Sequence, residues 1–180
     1  MSWLRGGDGR DPVTADALAA GRGDVAAFER LVSATQRDVW RLCCYLGSRD
    51  VADDLTQDTY LRAWRSLPRF RAEASARTWL LGIARRVAAD HVRAVQRRRR
   101  RAHLAPSDAV AVDPSGAVEV AMLLAGLDEQ RRLAMYLTQV LGLSYAEAAE
   151  VCECPVGTIR SRVSRARADV VEGLRDADAR

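Results

Sequence analysis

The segment from Leu143 to Val170 constrains the fold of this chain most strongly, because it carries the pattern of two short helices joined by a tight turn. Ser144 followed three residues later by Glu147 forms a capping box, which marks the start of a helix. Pro155 stands where the second helix would begin, since proline is favoured in the first helical turn. The pattern predicts a helix-turn-helix, a motif whose second helix can enter the major groove of DNA.

At about 100° per residue, the second helix of this motif has one apolar and one polar face. The stripe predicted to pack inward comprises Ile159, Val163, Ala166 and Val170. The side chains predicted to point outward are Arg160, Ser161, Ser164 and Arg165. Between residues 157 and 167 the helix carries four arginines and no acid, so this surface is strongly basic. The alternative explanation is a solvated basic face on an ordinary helical pair.

Composition excludes several classes of function. No apolar run approaches ~20 residues, so no membrane span is predicted. The first residues lack an apolar core after their charges, so no secretory signal is predicted and we expect a cytoplasmic, nucleoid-associated protein. No carboxylate pair, activated nucleophile or phosphate-binding glycine loop is recognisable. We therefore predict that the chain is not an enzyme.

The four cysteines occur as Cys43 next to Cys44 and as Cys152 one residue before Cys154, with only two histidines elsewhere. This spacing does not match a zinc motif, and such cysteines on helices usually serve packing. We therefore predict no metal site and no cofactor. Redox control through these cysteines stays open, although buried structural thiols are the favoured interpretation.

Basic charge is concentrated in two patches. Between Arg85 and Arg101, eight arginines stand against Asp90 alone, which makes this segment +7, and residues 157–167 add +4. Because the whole chain has a net charge of only +4, the rest of it is acidic. Two separate basic patches favour binding to nucleic acid.

The hydrophobic periodicity is helical throughout, without the alternation that strands require. Predicted helices in the first part are Ala15–Ala20, Asp24–Leu46, Arg49–Ser66 and Ser75–Arg100. Predicted helices in the second part are Val118–Gly126, Asp128–Gly142, Ser144–Val151 and Pro155–Leu174. Between them, prolines, serines and aspartates predict a flexible linker. The prediction is an all-α fold with a disordered tail at 1–12, a helical domain at 13–101, a linker at 102–116 and a helix-turn-helix domain at 117–180.

The third predicted helix places Asp54 and Asp58 four residues apart on one face, where like charges repel. Arg62 offsets only part of this repulsion. Gln57 and Leu61 share the face, so a leucine is exposed among carboxylates, whereas the inward stripe comprises Leu55, Thr59 and Ala63. Such a surface favours a binding partner, although a solvated acidic helix with one exposed leucine is the alternative.

The loop before the fourth helix interleaves Phe70 with Arg69 and Arg71, and Ser75 is positioned to cap the helix. Aromatic rings that stack on bases, together with guanidinium groups that follow phosphates, suit single-stranded nucleic acid. A core position is the alternative for Phe70, Trp64 and Trp79. Along the helix itself, the predicted core stripe comprises Leu80, Ala84, Val87, His91 and Val95, and a second stripe carries Arg86, Asp90, Arg93 and Arg97.

Three segments, DVADDLTQDTYLRAWRSLPRF, ARTWLLGIARRVAADHVR and LGLSYAEAAEVCECPVGTIRSRVSRAR, together resemble the extracytoplasmic-function (ECF) group of bacterial RNA polymerase sigma factors, in order and spacing. The resemblance covers about residues 13–174. It implies a first domain, sigma region 2, that docks on core RNA polymerase and recognises and melts the minus-10 promoter element. It implies a second domain, sigma region 4, that reads the minus-35 element. The intermediate domain of other sigma factors is missing in this group, in agreement with the short linker.

By that resemblance, the residues that would bind the β′ clamp helices of the polymerase are Asp54, Gln57, Asp58 and Leu61. Those that would contact minus-10 DNA are Phe70, Arg71, Ser75, Arg86, Arg93 and Arg97. Glu73 belongs to the same loop, and Trp79 would support it. Those that would contact minus-35 DNA are Arg160, Ser161, Arg162, Ser164 and Arg165. The second domain should also grip the β flap of the polymerase, without assignable residues.

Two features depart from the usual pattern of the group. Arg86 stands where many members carry asparagine, so the preferred downstream element is expected to differ. The run Arg97–Arg101 is unusually dense, and we predict that it contacts duplex phosphate or the polymerase channel. Rival interpretations are a free-standing helix-turn-helix regulator and an unrecognised nucleic-acid enzyme. The sequence leaves open whether an anti-sigma factor binds the chain.

Overall fold

The computed structural model describes residues 11–101 and 127–178, with side chains described as far as Arg175. The regular structure in these ranges is helical, and no helix among them is long and apolar enough to cross a membrane. The chain divides into two compact units between residues 108 and 109. This division falls in the predicted linker, which lies outside the described residues together with the predicted helix at 118–126. The finer domain limits therefore stay a prediction.

Within residues 11–101, the first unit contains four helices, as the sequence predicts: α1 (Pro12–Gly21), α2 (Val25–Leu46), α3 (Arg49–Ser66) and α4 (Ala76–Arg101). A short 3₁₀ turn, Leu67–Arg69, follows α3. Helix α2 packs against each of the other three. The large side chains that fill this core are fully buried and include Leu31, Val39, Leu42, Leu80, Leu81 and Val87.

Short polar side chains set the starts of these helices. Asp11 accepts a hydrogen bond from the backbone of Thr14 at 3.0 Å, and Asp24 accepts one from Ala27 at 3.0 Å. The predicted cap at α4 is confirmed, because the backbone N–H of Thr78 donates to Ser75 Oγ at 3.1 Å. Each cap satisfies a donor that the first helical turn would otherwise leave unpaired.

The first half of helix α4 packs in the core of the unit, and its second half lies outside the core. Leu80, Ala84 and Val87 are buried, which confirms the first half of the predicted stripe. His91 and Val95 are only half-buried, because no residue between 89 and 101 is buried and the helix there extends beyond the core. Trp64 is 41% exposed. A core position for Trp64 is therefore wrong, although its ring contacts that of Phe28, with 4.7 Å between the centroids.

The second unit contains α5 (Glu129–Met135), α6 (Tyr145–Cys152) and α7 (Val156–Asp178). Its buried core combines α5 and the turn after it with α6 and α7, through Ala134, Leu137, Ala148, Val151, Ile159, Val163 and Ala166. Packing of α7 against both α5 and α6 gives the compact arrangement of a helix-turn-helix.

The prediction of one α-helix over Asp128–Gly142 is wrong beyond Met135. The chain widens there into a π-helical turn, Tyr136–Val140. The hydroxyl of Thr138 donates to the carbonyl of Ala134 at 2.8 Å, and the backbone N–H of Leu141 reaches back five residues to Tyr136 at 3.1 Å. Gly142 then ends the turn at a φ of +67°, a conformation that glycine adopts without a steric penalty.

Candidate polymerase and nucleic-acid interfaces

The predicted capping box begins the helix-turn-helix and is confirmed. The backbone N–H of Glu147 donates to Ser144 Oγ at 3.2 Å, and the backbone N–H of Ser144 donates to Glu147 Oε2 at 2.8 Å. Helix α6 ends at Glu153, which adopts the left-handed conformation with a φ of 54°. This single residue reverses the chain, and α7 starts three positions later. Local hydrogen bonds and one left-handed residue therefore set the angle at which α7 is presented.

Helix α7 has the two faces that the sequence predicts. Ile159, Val163 and Ala166 are buried against the rest of the unit, whereas Val170 is half-buried. The exposed side chains include Arg160, Ser161, Ser164 and Arg165. One face of α7 is thus fixed by apolar packing, and the other presents guanidinium and hydroxyl groups to solvent.

Arg162 has a different environment from the other predicted minus-35 residues. It is half-buried, its side chain donates to that of Gln130 on α5, and its Nη1 lies 3.7 Å from Cys154 Sγ. Two further contacts hold α7: Arg131 on α5 lies 2.8 Å from Asp169, and Arg167 donates at 3.3 Å to Gln139 in the π-helical turn that follows α5. These contacts hold α7 against the preceding part of the second unit. Arg162 therefore differs from the outward-facing residues of α7, whose side chains are exposed to solvent.

The loop between the 3₁₀ turn and α4 lines an open pocket of about 270 Å³. Phe70 and Trp79 form one wall, with ring centroids 4.8 Å apart and planes inclined by 39°. The other lining residues are Arg69, Arg71, Ala72, Glu73 and Ala74. The pocket therefore combines an aromatic wall with two guanidiniums and one carboxylate. These groups can stack on a base and offer both donors and an acceptor to its edge.

Of the other predicted minus-10 residues, Ser75 lies in the loop and three arginines lie along α4. The hydroxyl of Ser75 is engaged by the helix cap and lies 2.9 Å from Thr78 Oγ1, so it fixes the loop in place. Arg86, Arg93 and Arg97 are exposed along α4. Arg93 also donates to Asp90 at 2.6 Å. The pocket and this basic stripe belong to the same unit.

The α3 face carries the predicted polymerase residues. Asp54 and Gln57 are exposed, Asp58 is half-buried, and Leu61 is 50% exposed. The inward residues Leu55, Thr59 and Ala63 are buried, as predicted. Arg62 lies 3.0 Å from Asp58 and therefore offsets part of the repulsion between the two carboxylates, while Asp54 is exposed.

Asp90 makes contacts between the α3 face and the α4 stripe that sequence reasoning missed. Its two oxygens accept from Arg62 at 2.6 Å and from Arg93 at 2.6 Å. The hydrogen bond from Arg62, and to a smaller extent the one from Arg93, holds the pKa of Asp90 below its usual value. The available signal was its position as the single acid among eight arginines.

The four cysteines are free thiols. Burial raises the pKa of the Cys43 thiol, which opposes formation of the reactive thiolate. Within residues 11–101 and 127–178, no group of three or more histidine, cysteine or carboxylate side chains is arranged to hold a metal ion.

Comparisons with known proteins agree with this geometry. Residues 31–99 match the family Sigma-70 region 2, and residues 117–170 match Sigma-70, region 4. The ECF RNA polymerase sigma factor SigC of Mycobacterium tuberculosis is 53% identical over 163 residues, which cover 87% of this chain and 88% of that protein.

Two solved structures share the fold. CnrH in complex with the cytosolic domain of CnrY superposes with a TM-score of 0.70 at 29% identity, over 93% of this chain and 99% of CnrH. The sigma factor RpoE in complex with the anti-sigma factor NepR, from Bartonella quintana, gives a TM-score of 0.70 at 30% identity, over 84% of this chain and 98% of RpoE. With both sigma regions matched and a relative that is similar over nearly its whole length, this chain belongs to the ECF RNA polymerase sigma factors.

Proposed function

We propose that the chain docks on core RNA polymerase through the α3 face and directs it to promoters through two DNA surfaces. One observation carries the assignment. The first unit presents an acidic face with an exposed leucine and, separately, an aromatic pocket beside a basic helix, while the second unit presents the basic face of α7. A free-standing DNA-binding regulator does not require the acidic face with the exposed leucine.

The α3 face suits a partner that is both basic and apolar. Asp54 and Asp58 supply negative charge, and Gln57 supplies a hydrogen-bonding amide. Leu61 adds an apolar side chain that is half exposed in the free chain. Full burial of a leucine contributes about 1.5–3 kcal/mol, so covering the exposed half of Leu61 on the β′ clamp helices would contribute about 1 kcal/mol to docking.

The pocket and α4 suit the separated strand of a minus-10 element. A base turned out of the duplex would stack against the wall formed by Phe70 and Trp79, which offsets the few kcal/mol that unstacking costs. Arg71 and the α4 arginines Arg86, Arg93 and Arg97 would follow the phosphates. Ser75 would hold the loop against the start of α4, and Glu73 would accept a hydrogen bond from the base.

The outward face of α7 suits the major groove of a minus-35 element. Arg160 and Arg165 can each donate two hydrogen bonds to guanine O6 and N7, and Ser161 and Ser164 can contact phosphate or base edges. Arg162 would act by bracing α7 against α5, and a contact from its exposed portion to phosphate would add to this. Because both units belong to one chain, binding of one element raises the effective concentration of the other unit at its own site.

We propose that the chain catalyses no reaction itself and acts in the cytoplasm at the nucleoid, where polymerase and chromosome are found. An anti-sigma partner is a further proposal, supported by the likeness to RpoE, whose solved structure is a complex with an anti-sigma factor. A protein that covered Leu61 and its neighbouring carboxylates would compete directly with polymerase.

The test is run-off transcription from a fragmented genomic library with bacterial core RNA polymerase, with and without the chain. Defined starts that share two upstream elements are expected. Leu61→Ser should reduce these starts at limiting concentrations of the chain by weakening docking, whereas Val25→Ser, which changes a similarly exposed apolar side chain on α2, should preserve them. Duplex binding without any polymerase-dependent starts would instead establish a free-standing regulator.

A further inference from the structure

A chain of four charged side chains joins the α3 face to the α4 stripe. Asp58 Oδ2 lies 3.0 Å from Arg62 Nη2, and Arg62 Nη1 donates to Asp90 Oδ2 at 2.6 Å. Asp90 Oδ1 then accepts from Arg93 Nη2 at 2.6 Å. One end of the chain, Asp58, belongs to the proposed polymerase face. The other end, Arg93, belongs to the proposed minus-10 surface.

The two inner members of this chain are each shared between two partners of opposite charge. The guanidinium of Arg62 pairs with the carboxylates of both Asp58 and Asp90. The carboxylate of Asp90 accepts hydrogen bonds from the guanidiniums of both Arg62 and Arg93. A guanidinium and a carboxylate pair most strongly when both their hydrogen bonds go to each other. Loss of an outer partner therefore allows the inner pair to close, and closure weakens the hold on the opposite outer residue.

We propose that Asp90 is a positioning residue that couples polymerase docking to DNA binding, an inference that rests on the proposed function. When a basic group of the polymerase pairs with Asp58, Arg62 is free to direct both of its hydrogen bonds to Asp90. Asp90 then binds Arg93 less tightly, and Arg93 can pair with a DNA phosphate. In the free chain, Asp90 holds Arg93 back. Thermodynamic linkage requires the reverse effect as well, so engagement of Arg93 by DNA favours docking at Asp58.

The solvent exposure of the four side chains limits the strength of the coupling between polymerase docking and DNA binding. The four side chains are between 40% and 63% exposed, and ion pairs of this kind change an equilibrium by about twofold to fivefold. A coupling of about twofold is therefore expected, and it should shrink as salt screens the charges.

The test measures the affinity of the full-length, fluorescently labelled chain for core RNA polymerase in the absence of DNA. Arg93→Gln frees Asp90 for Arg62 and exposes Asp58, so core affinity is expected to rise about twofold. Arg30→Gln is the matched control. It removes the same charge from the same unit and breaks an ion pair of 2.7 Å with Asp16, but it has no place in the chain of four side chains and should leave core affinity unchanged.

Two further backgrounds decide the mechanism. In Asp90→Asn and, independently, in Asp58→Asn, the added Arg93→Gln change should have no effect on core affinity, because the connection is already cut. Equal effects of Arg93→Gln and Arg30→Gln, or an undiminished Arg93→Gln effect in both backgrounds, would overturn the coupling. Failure of Asp58→Asn to change core affinity would instead refute the proposed docking face, and the coupling with it. Thermal melts by circular dichroism identify any variant that does not fold.

Discussion

Replacing Ile159 with alanine tests both the orientation of α7 and the independence of the two units. Ile159 has an exposed fraction of 0% in the core of the second unit. The change removes three buried carbons at ~0.8 kcal/mol each, and the cavity left behind raises the cost to about 3 kcal/mol. A unit that spans residues 109–180 has a total stability of about 4–11 kcal/mol, so Ile159→Ala should remove a large part of it.

The distribution of tryptophan makes the assay specific. Trp40, Trp64 and Trp79 lie in the first unit, and the sequence of the second unit contains no tryptophan. In a urea titration, tryptophan fluorescence therefore follows the first unit, and far-ultraviolet circular dichroism follows both. Ile159→Ala should shift part of the dichroism transition to lower urea and leave the fluorescence midpoint unchanged.

Arg160→Ala is the matched control, because it alters the next residue on the opposite face of α7. It should keep the stability of the unit within about 0.5 kcal/mol and should weaken minus-35 duplex binding by about 1–3 kcal/mol. The reasoning is refuted if Ile159→Ala leaves the dichroism transition unchanged, or if it moves the fluorescence midpoint by the same amount.

Three further outcomes are expected. Replacing Arg97–Arg101 with glutamine should flatten the dependence of promoter-complex affinity on salt by ~0.9 in logarithmic slope for each phosphate that these arginines neutralise; an unchanged slope would exclude binding of the run to phosphate. Glu153→Gly should raise the unfolding free energy of the second unit by about 0.5–1 kcal/mol, because glycine adopts a φ of 54° without a Cβ clash; a lower urea midpoint by circular dichroism would contradict this. Burial raises the pKa of Tyr60 to about 12, partly opposed by a hydrogen bond with Thr35. Because the folded state holds this proton more tightly, the contribution of Tyr60 to stability is complete below pH ~10 and is lost as pH rises towards 12. Tyr60→Phe should therefore lose stability less steeply across that range, and parallel stability curves for the two proteins would disprove the assignment.

Features that depend on neighbouring residues were predictable from the sequence. The capping box of Ser144 and Glu147 and the inward stripe from Ile159 to Ala166 follow from spacing along a single helix. The four helices of the first unit were located for the same reason. The candidate surfaces on α3, α4 and α7 were likewise identified from residues that share one helical face, although their contacts with polymerase and DNA stay predictions.

Features that depend on distant residues required the structure. Arg62 and Asp90 are 28 positions apart and Gln130 and Arg162 are 32 apart, yet each pair is joined by a hydrogen bond. Trp64 has the apolar character of a core residue, but in the folded unit it is 41% exposed. The sequence by itself determined which residues share a helical face, because helical periodicity is a local property. Only the tertiary structure decided which side chain lies opposite each of them, because packing brings together residues that the chain keeps far apart.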